Sequence, residues 1–225
     1  MPPGRRTVLG CGTGDVTIPL GERVDSIVGV DPSASMLAVA STRPGADNPS
    51  VRWVESSAEE FEFQGPYSLV VAAESLHWMD WPVVLPKIAA ALHSEGFLVL
   101  ALDRQLVEVP WASGLAEIIP RYSTNQRYQP YDLVEELTRR GLFEEVGRHA
   151  TTPVPFTQSV DEYVKSFHSR NGFSRERMSG DQVEEFDETV RALVERYCEN
   201  GRVRSSARVV LAWGRPLDGE SAPKT

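Results

Sequence analysis

The sequence predicts an α/β fold built on a doubly wound, mostly parallel sheet. Three observations carry that prediction. Short β-rich apolar runs alternate with helical patterns, which is the rhythm of βαβ units. The runs are almost continuously apolar, as in strands buried on both faces of a sheet. A glycine-rich turn, "LGCGTG", leaves the first run, at the kind of place where α/β sheets bind their ligands.

The elements come in order. "TVLG" ends at Gly10, "SIVGV" runs into Asp31, and "VRWV" covers Val51–Val54. "YSLVVAA" covers Tyr67–Ala73 and "GFLVLAL" covers Gly96–Leu102. Between them, "SASMLAVASTR" and "PVVLPKIAAALHS" have helical apolar spacing. Pro82 fits a first helical turn. "DLVEELTRRGL" predicts a helix closed by Gly141, and "FEEVGRHATTPVPF" a strand that ends at its prolines. Two helical stretches, "VDEYVKSFHSR" and "QVEEFDETVRALVERYC", precede a last strand over Ala207–Gly214. The segment from about 158 to 204 therefore reads as a helical cap inserted between late strands. Residues 1–216 form one domain on this reading, and the polar stretch 217–225 a flexible tail.

Composition narrows the function. The 225-residue chain is 41% hydrophobic and 24% charged, ordinary for a globular protein with a sizeable core. A net charge of −9 argues against nonspecific nucleic-acid binding. No apolar run reaches the ~20 residues of a membrane helix. Two cysteines, Cys11 and Cys198, form no disulfide framework and fit a reducing cytoplasm. Neither has metal-like companions, so no metal is expected. Arginine dominates the basic residues, since Lys87, Lys165 and Lys224 are the only lysines.

The glycine turn reads in two ways. Glycine serves any sharp turn between a strand and a helix. It also lets a ligand lie directly on the backbone. The pattern is Gly10-x-Gly12-x-Gly14 followed by Asp15, not the G-x-G-x-x-G of dinucleotide sites. An acidic Asp15 disfavours a phosphate, so a nucleoside without phosphates is the better ligand. Asp31, ending the second strand, is placed to accept from both hydroxyls of a ribose.

At this point the sequence resembles the class I S-adenosylmethionine-dependent methyltransferases, whose sheet is Rossmann-like. "LGCGTG" is similar to their first motif and "GVDPSASML" to their second. "SSAEEF" resembles the segment bordering the adenine, and "AAESLHWMDW" resembles a branch that includes trans-aconitate methyltransferase-like proteins. "LHSEGFLVLA" resembles the turn into the fifth strand. The motifs cover Thr7 to Leu102. The resemblance implies S-adenosyl-L-methionine held by Gly10, Cys11, Gly12, Thr13, Gly14, Asp31, Pro32, Met36, Ser57, Ala58, Glu59, Ala73 and Glu74. Asp31 would take the ribose, Met36 would pack near the adenine, and Ser57 and Ala58 would border the adenine edge. Ala73 would offer its carbonyl to the cofactor's amino group.

The sequence departs from the family pattern at Val8, where an acidic residue is usual, and at Ser57, where Asp is frequent. The family also carries a helical segment ahead of the first strand, and only seven residues precede Val8. Three functions stand open. The first is methyl transfer to a small molecule, a carboxylate or a natural-product hydroxyl. The second is cofactor binding without transfer, for want of that N-terminal segment. The third is nicotinamide-dependent oxidoreduction. A monomer or homodimer is expected.

His77 is the candidate general base or substrate contact, set against a structural ring packed with Trp78 and Trp81. Trp78, Tyr163 and Arg170 are further candidate substrate contacts. Cys11 is expected to be there for small size rather than for reactivity. His168 is expected on a solvated helix face, as is the charge run "QVEEFDETVRALVER". Arg121, Tyr122, Arg127 and Tyr128 fall in a loop-like stretch.

Overall fold

The computed structural model describes residues 4–126, 131–169 and 171–217. Arg127, Tyr128, Arg170 and most of the expected tail lie outside the described residues. Two compact units emerge. The first takes its described residues from Met1–Asp103, Tyr131–Thr151 and Val209–Thr225, the second from Arg104–Pro130 and Thr152–Arg208.

The first unit holds the predicted sheet. Its strands are β1 (Arg5–Leu9), β2 (Ile27–Asp31), β3 (Val51–Glu55), β4 (Tyr67–Ala73) and β6 (Phe143–Ala150), with parts of β5 (Leu92–Val107) and β8 (Arg202–Pro216). The order is β3-β2-β1-β4-β5-β8-β6. β1, β2, β3, β4 and β5 pair in parallel, and β6 is antiparallel to β8. β2 is buried at every position and β4 at all but its last, which is why those runs read as continuously apolar. β3, at the sheet edge, alternates and carries exposed Arg52 and Glu55.

The pleat sorts side chains into two cores. Leu9, Val28, Val30, Val70, Ala72, Leu98 and Leu100 point to one face. There they meet Val84, Leu85 and Ile88 of α3 (Trp81–Ala91) and Val134 and Leu137 of α5 (Leu133–Arg139). Val8, Ile27, Leu69 and Val71 point to the other. Leu20 of α1 (Thr17–Gly21) and Leu37 of α2 (Ala34–Thr42) cover that face. Helices on both faces make the sheet doubly wound.

Local chemistry sets the helix ends. Pro82 sits in the first turn of α3, where its missing N–H costs nothing. Asp132 caps α5 by accepting from the Val134 and Glu135 N–H groups. Gly141, at φ 68°, closes the same helix, and the Leu142 N–H returns to the Leu137 carbonyl.

The second unit contains α4 (Ala112–Tyr122), β7 (Val154–Ser159), α6 (Val160–Lys165) and α7 (Gly180–Glu195). The expected helical segment from 158 to 204 lies inside it, together with residues expected elsewhere from their sequence. Its core is aromatic: Trp111, Tyr163, Phe167, Phe173 and Phe186 are all buried. Phe186 packs against the rings of Tyr122, Phe167, His168 and Phe173. Ser159 with Glu162 and Ser179 with Gln182 form capping boxes that start α6 and α7.

Three local expectations are revised. The strand read across Phe143–Phe156 is two, broken at Thr151–Pro153. Pro155 lies inside β7, which pairs β8 alone and so leaves one edge without ladder bonds to lose. The charge run on α7 does mark an exposed helix face, opposite the fully buried Phe186, Val190 and Val194. Tyr122, expected in a loop, ends α4 with its ring in the core of the second unit.

The third is His168, which is not solvated. Its side chain is 9% exposed, and Nδ1 lies 2.7 Å from the Phe173 carbonyl oxygen. Nε2 lies 2.8 Å from Asp187 Oδ1. A carbonyl only accepts, so Nδ1 is the donor there.

Phe186 sits at the centre of four ring contacts. Phe186→Ala is expected to cost about 3–5 kcal/mol, as for other deep aromatic truncations. Chemical denaturation followed by near-ultraviolet circular dichroism measures it. A loss below ~1 kcal/mol would mean that the second unit's core does not turn on this ring.

Candidate functional site

Parallel strands deliver their following loops to one edge of a sheet. β1 is flanked by β2 and β4, so the strand order reverses beside it, and the loops after β1 and β4 leave in opposite directions. The loops after β1, β2, β3 and β4 carry Gly10–Gly14, Asp31–Met36, Ser57–Glu59 and Ala73–Trp78. The predicted residues of the first unit thus converge at the carboxyl ends of four neighbouring strands. Backbone ties hold those ends together. The Cys11 N–H donates to the Val30 carbonyl at 2.9 Å, and the Ser56 N–H to the Asp31 carbonyl at 3.1 Å. The buried Ser75 hydroxyl donates to the Leu9 carbonyl at 2.7 Å.

Asp31 is the hub. It is 7% exposed, and each carboxylate oxygen already serves a backbone donor. Oδ2 accepts from the Gly12 N–H at 2.7 Å, and Oδ1 from the Ser33 N–H at 2.9 Å. An ionised carboxylate has about four acceptor positions, so each oxygen keeps capacity for a further donor. Ser33 continues the chain of contacts: its hydroxyl caps α2 by accepting from the Met36 N–H.

The three glycines of the loop have different reasons to be glycine. All have positive φ, at 63°, 52° and 84° for Gly10, Gly12 and Gly14. A Cβ on Gly10 would lie 2.5 Å from the Ser75 Cβ. One on Gly14 would lie 2.7 Å from Trp53 Cη2. Both positions are closed by packing. A Cβ on Gly12 would meet nothing within 4 Å. Gly12 therefore presents open space beside the Asp31 carboxylate, while its neighbours wedge the loop in place.

Cys11 fills the gap beneath. It is buried, and its sulfur lies 3.0 Å from where a Gly29 Cβ would stand. Burial, and secondarily the Asp31 charge, push its thiol from the ordinary 9.0 up to about 12. The thiol is neutral at any physiological pH, consistent with a packing role. Asp15 is paired with Arg43.

The remaining predicted residues divide. Met36 is 46% exposed and Pro32 is exposed, so both lie at the surface near Asp31. Ala58 is buried, and the Ser57 hydroxyl accepts from the Glu60 N–H. Glu59 is engaged in the fold. Its carboxylate accepts from the Asp80 N–H at 2.7 Å, ahead of α3, and its carbonyl accepts from Lys87. Glu74 adopts a left-handed φ of 49°, uncommon for a residue other than glycine. His77 and Trp78 are exposed on a 3₁₀ turn, with ring centroids 5.1 Å apart. Trp78 is 75% exposed. Trp81 does not join them in a ring cluster; its indole N–H donates to the Leu76 carbonyl.

Tyr163 is a core residue rather than a wall. It is 2% exposed in the second unit, and its hydroxyl accepts from the Trp111 indole at 2.7 Å. Two concavities of about 380 and 600 Å³ flank the segment Phe61–Tyr67 and carry no glycine-loop residue. Among the described residues, no three His, Cys, Asp or Glu side chains are grouped to hold a metal, and no helix is long and apolar enough to cross a membrane. Sequence reasoning missed Ser75, whose signal was only its place after a buried strand. It also missed Arg43.

Residues 8–96 match a family model described as a methyltransferase domain. A protein of Saccharomyces cerevisiae named "Probable S-adenosylmethionine-dependent methyltransferase CRG1" is 28% identical over 92 residues, which is 39% of this chain and 32% of that protein. "Uncharacterized methyltransferase Mb3374" of Mycobacterium bovis is 33% identical over 124 residues, covering 54% of this chain and 49% of its own length. A ubiquinone biosynthesis O-methyltransferase of Bradyrhizobium diazoefficiens is 26% identical over 162 residues, 70% of this chain and 64% of that one. The chain thus spans about a third to two thirds of these relatives.

Among solved structures, a candidate type II methyltransferase from Anaeromyxobacter dehalogenans superposes with a TM-score of 0.64 at 17% identity, covering 94% of this chain and 89% of that one. The N-methyltransferase NodS from Bradyrhizobium japonicum gives 0.51 at 15% identity, covering 94% and 85%. At such identities the likeness is one of fold. Residues 8–96 are thus similar in sequence to methyltransferase domains, and the chain shares the fold of solved methyltransferase structures. The trans-aconitate branch suggested by "AAESLHWMDW" is not singled out by these relatives.

The loop's packing sets two expected outcomes. Gly10→Ala combines left-handed backbone, about 1–2 kcal/mol for an L-residue, with the Ser75 clash. Gly12→Ala carries the backbone term alone. Thermal melting should therefore rank wild type above Gly12→Ala and Gly12→Ala above Gly10→Ala; the reverse order would refute the packing assignment. For Cys11, the raised thiol value favours the folded state below pH 9.0. That contribution is lost as pH rises from 9.0 towards 12, because only the unfolded thiol ionises there. Mass-mapped alkylation with iodoacetamide at pH 8 should leave Cys11 unmodified until the protein is unfolded.

Proposed function

We propose that the protein transfers a methyl group from S-adenosyl-L-methionine to a small-molecule acceptor. The observation that carries this reading is the open face of Gly12 beside the buried Asp31, at the point where the strand order reverses. The residues fit the cofactor. Gly12 leaves room for it on the backbone, and Asp31 keeps acceptor capacity for two ribose hydroxyls. Met36 offers an exposed apolar side chain for the adenine, Ser57 and Ala58 would border its edge, and the Ala73 carbonyl would accept from the cofactor's amino group. When bound, the cofactor supplies a methyl group already activated on a sulfonium. The protein's share is then alignment and exclusion of water.

The acceptor's place falls to the loop after β4. Trp78 exposes a broad ring there and His77 a ring nitrogen beside it. His77 has no hydrogen-bond or ion-pair partner among the described residues, so nothing fixes its tautomer as a general base requires. It acts by positioning the acceptor. A carboxylate, already ionised, needs no base. A hydroxyl is the other acceptor class, and the relative named for ubiquinone biosynthesis O-methylation supports it.

Calorimetry with S-adenosylhomocysteine tests the cofactor. Asp31→Ala should weaken binding by ~1.5–3 kcal/mol, the loss of charge-assisted hydrogen bonds. Wild-type affinity in a folded Asp31→Ala protein would sink the assignment. On one accepted substrate, His77→Ala should raise KM with little change in kcat or in its pH dependence. A fall in kcat of ~10²–10⁴ would make His77 a base instead.

A further inference from the structure

We propose that Arg43 is a positioning residue for the cofactor loop, holding it from the helix side as Asp31 holds it from the strand side. The inference rests on the cofactor reading above. It begins with a sequence signal. Pro44 disfavours helical backbone at the residue before it, so α2 stops at Thr42 and Arg43 turns extended, at ψ 150°. From that corner its guanidinium reaches back to the glycine loop. One nitrogen, Nη1, donates to the Thr13 carbonyl at 3.0 Å and to the Thr13 hydroxyl at 3.3 Å. The same nitrogen pairs with the Asp15 carboxylate.

These contacts do two things. They fix the carbonyl that follows Gly12, the residue whose face is open. The Gly12 N–H is held by Asp31 on one side and the Thr13 carbonyl by Arg43 on the other, so the exposed peptide is clamped at both ends. They also compensate Asp15. Without Arg43, a carboxylate that is 74% exposed would stand uncompensated at the rim of a loop meant to take the amino-acid portion of the cofactor, which carries its own carboxylate. An exposed ion pair alone is worth little. The part that matters is the backbone carbonyl, because it sets the path of the loop.

The arrangement predicts an effect on binding larger than the effect on folding. Titration with S-adenosylhomocysteine should show Arg43→Ala weakened about tenfold, within the range for losing a charged hydrogen bond. Arg43→Lys should recover part of that loss, since an ammonium is likewise a single donating nitrogen, carried on a shorter side chain. Hydrogen exchange of the ligand-free protein should show faster exchange over 11–18 in Arg43→Ala than in wild type, with the central strands unchanged. Equal affinity in wild type and Arg43→Ala overturns the proposal. So does a weakened Arg43→Ala protein whose central strands exchange as fast as its loop, since that is general destabilisation. If the wild type itself fails to bind S-adenosylhomocysteine, the cofactor reading fails. The ligand-free exchange comparison then still decides whether Arg43 orders the loop.

Discussion

A single buried carboxylate joins two turns. Asp31 ends β2, and its two oxygens take the N–H of Gly12 in the loop after β1 and the N–H of Ser33 ahead of α2. Hydrogen bonds to an ionised acceptor are roughly twice as strong as neutral ones, and stronger still away from water. The consequences spread outwards. Ser33, once fixed, caps α2, and α2 in turn ends at the arginine that reaches the loop again. Four parallel strands set the stage, but this one side chain decides where the backbone lies at their ends.

The glycine loop illustrates why a motif is weaker evidence than its geometry. Three glycines at even spacing look equivalent in sequence. In the structure two are glycine because neighbours leave no room, Ser75 against Gly10 and Trp53 against Gly14. Only Gly12 is glycine with empty space above it. Positive φ alone gives all three a reason to be glycine in a turn; the open space at Gly12 is what speaks for binding. Asp15, beside them, is paired with Arg43, a partner distant in sequence that no local motif shows.

The features legible in the sequence are the local ones. The buried strands β2 and β4 announced themselves because both faces need apolar residues. Gly141 marked the end of α5 because a left-handed closure wants glycine. Asp31 could be singled out because it terminates such a strand. By contrast, Arg121 and Tyr122 were read as loop, although tertiary packing of Trp111, Ile118 and Tyr122 sustains the helix α4 there. Tyr163 was a candidate substrate contact for its place in the helical segment, yet the second unit buries it. Ser75 and Arg43 act across 66 and 30 residues respectively, and no short window contains both partners.

The place of β8 has a consequence for how the chain is made. The final strand is not at an edge; it lies between β5 and β6. A ribosome delivers β1 to β6 first, so until the last part of the chain emerges the nascent sheet has a gap where β8 belongs. During that interval β5 and β6 each present an unpaired ladder, the kind of edge that recruits other chains. Closing the gap requires long-range pairing, which is slow compared with local helix formation. Truncation ahead of β8 would therefore leave the sheet open, with the unpaired strand edges that make a partly folded chain prone to aggregate.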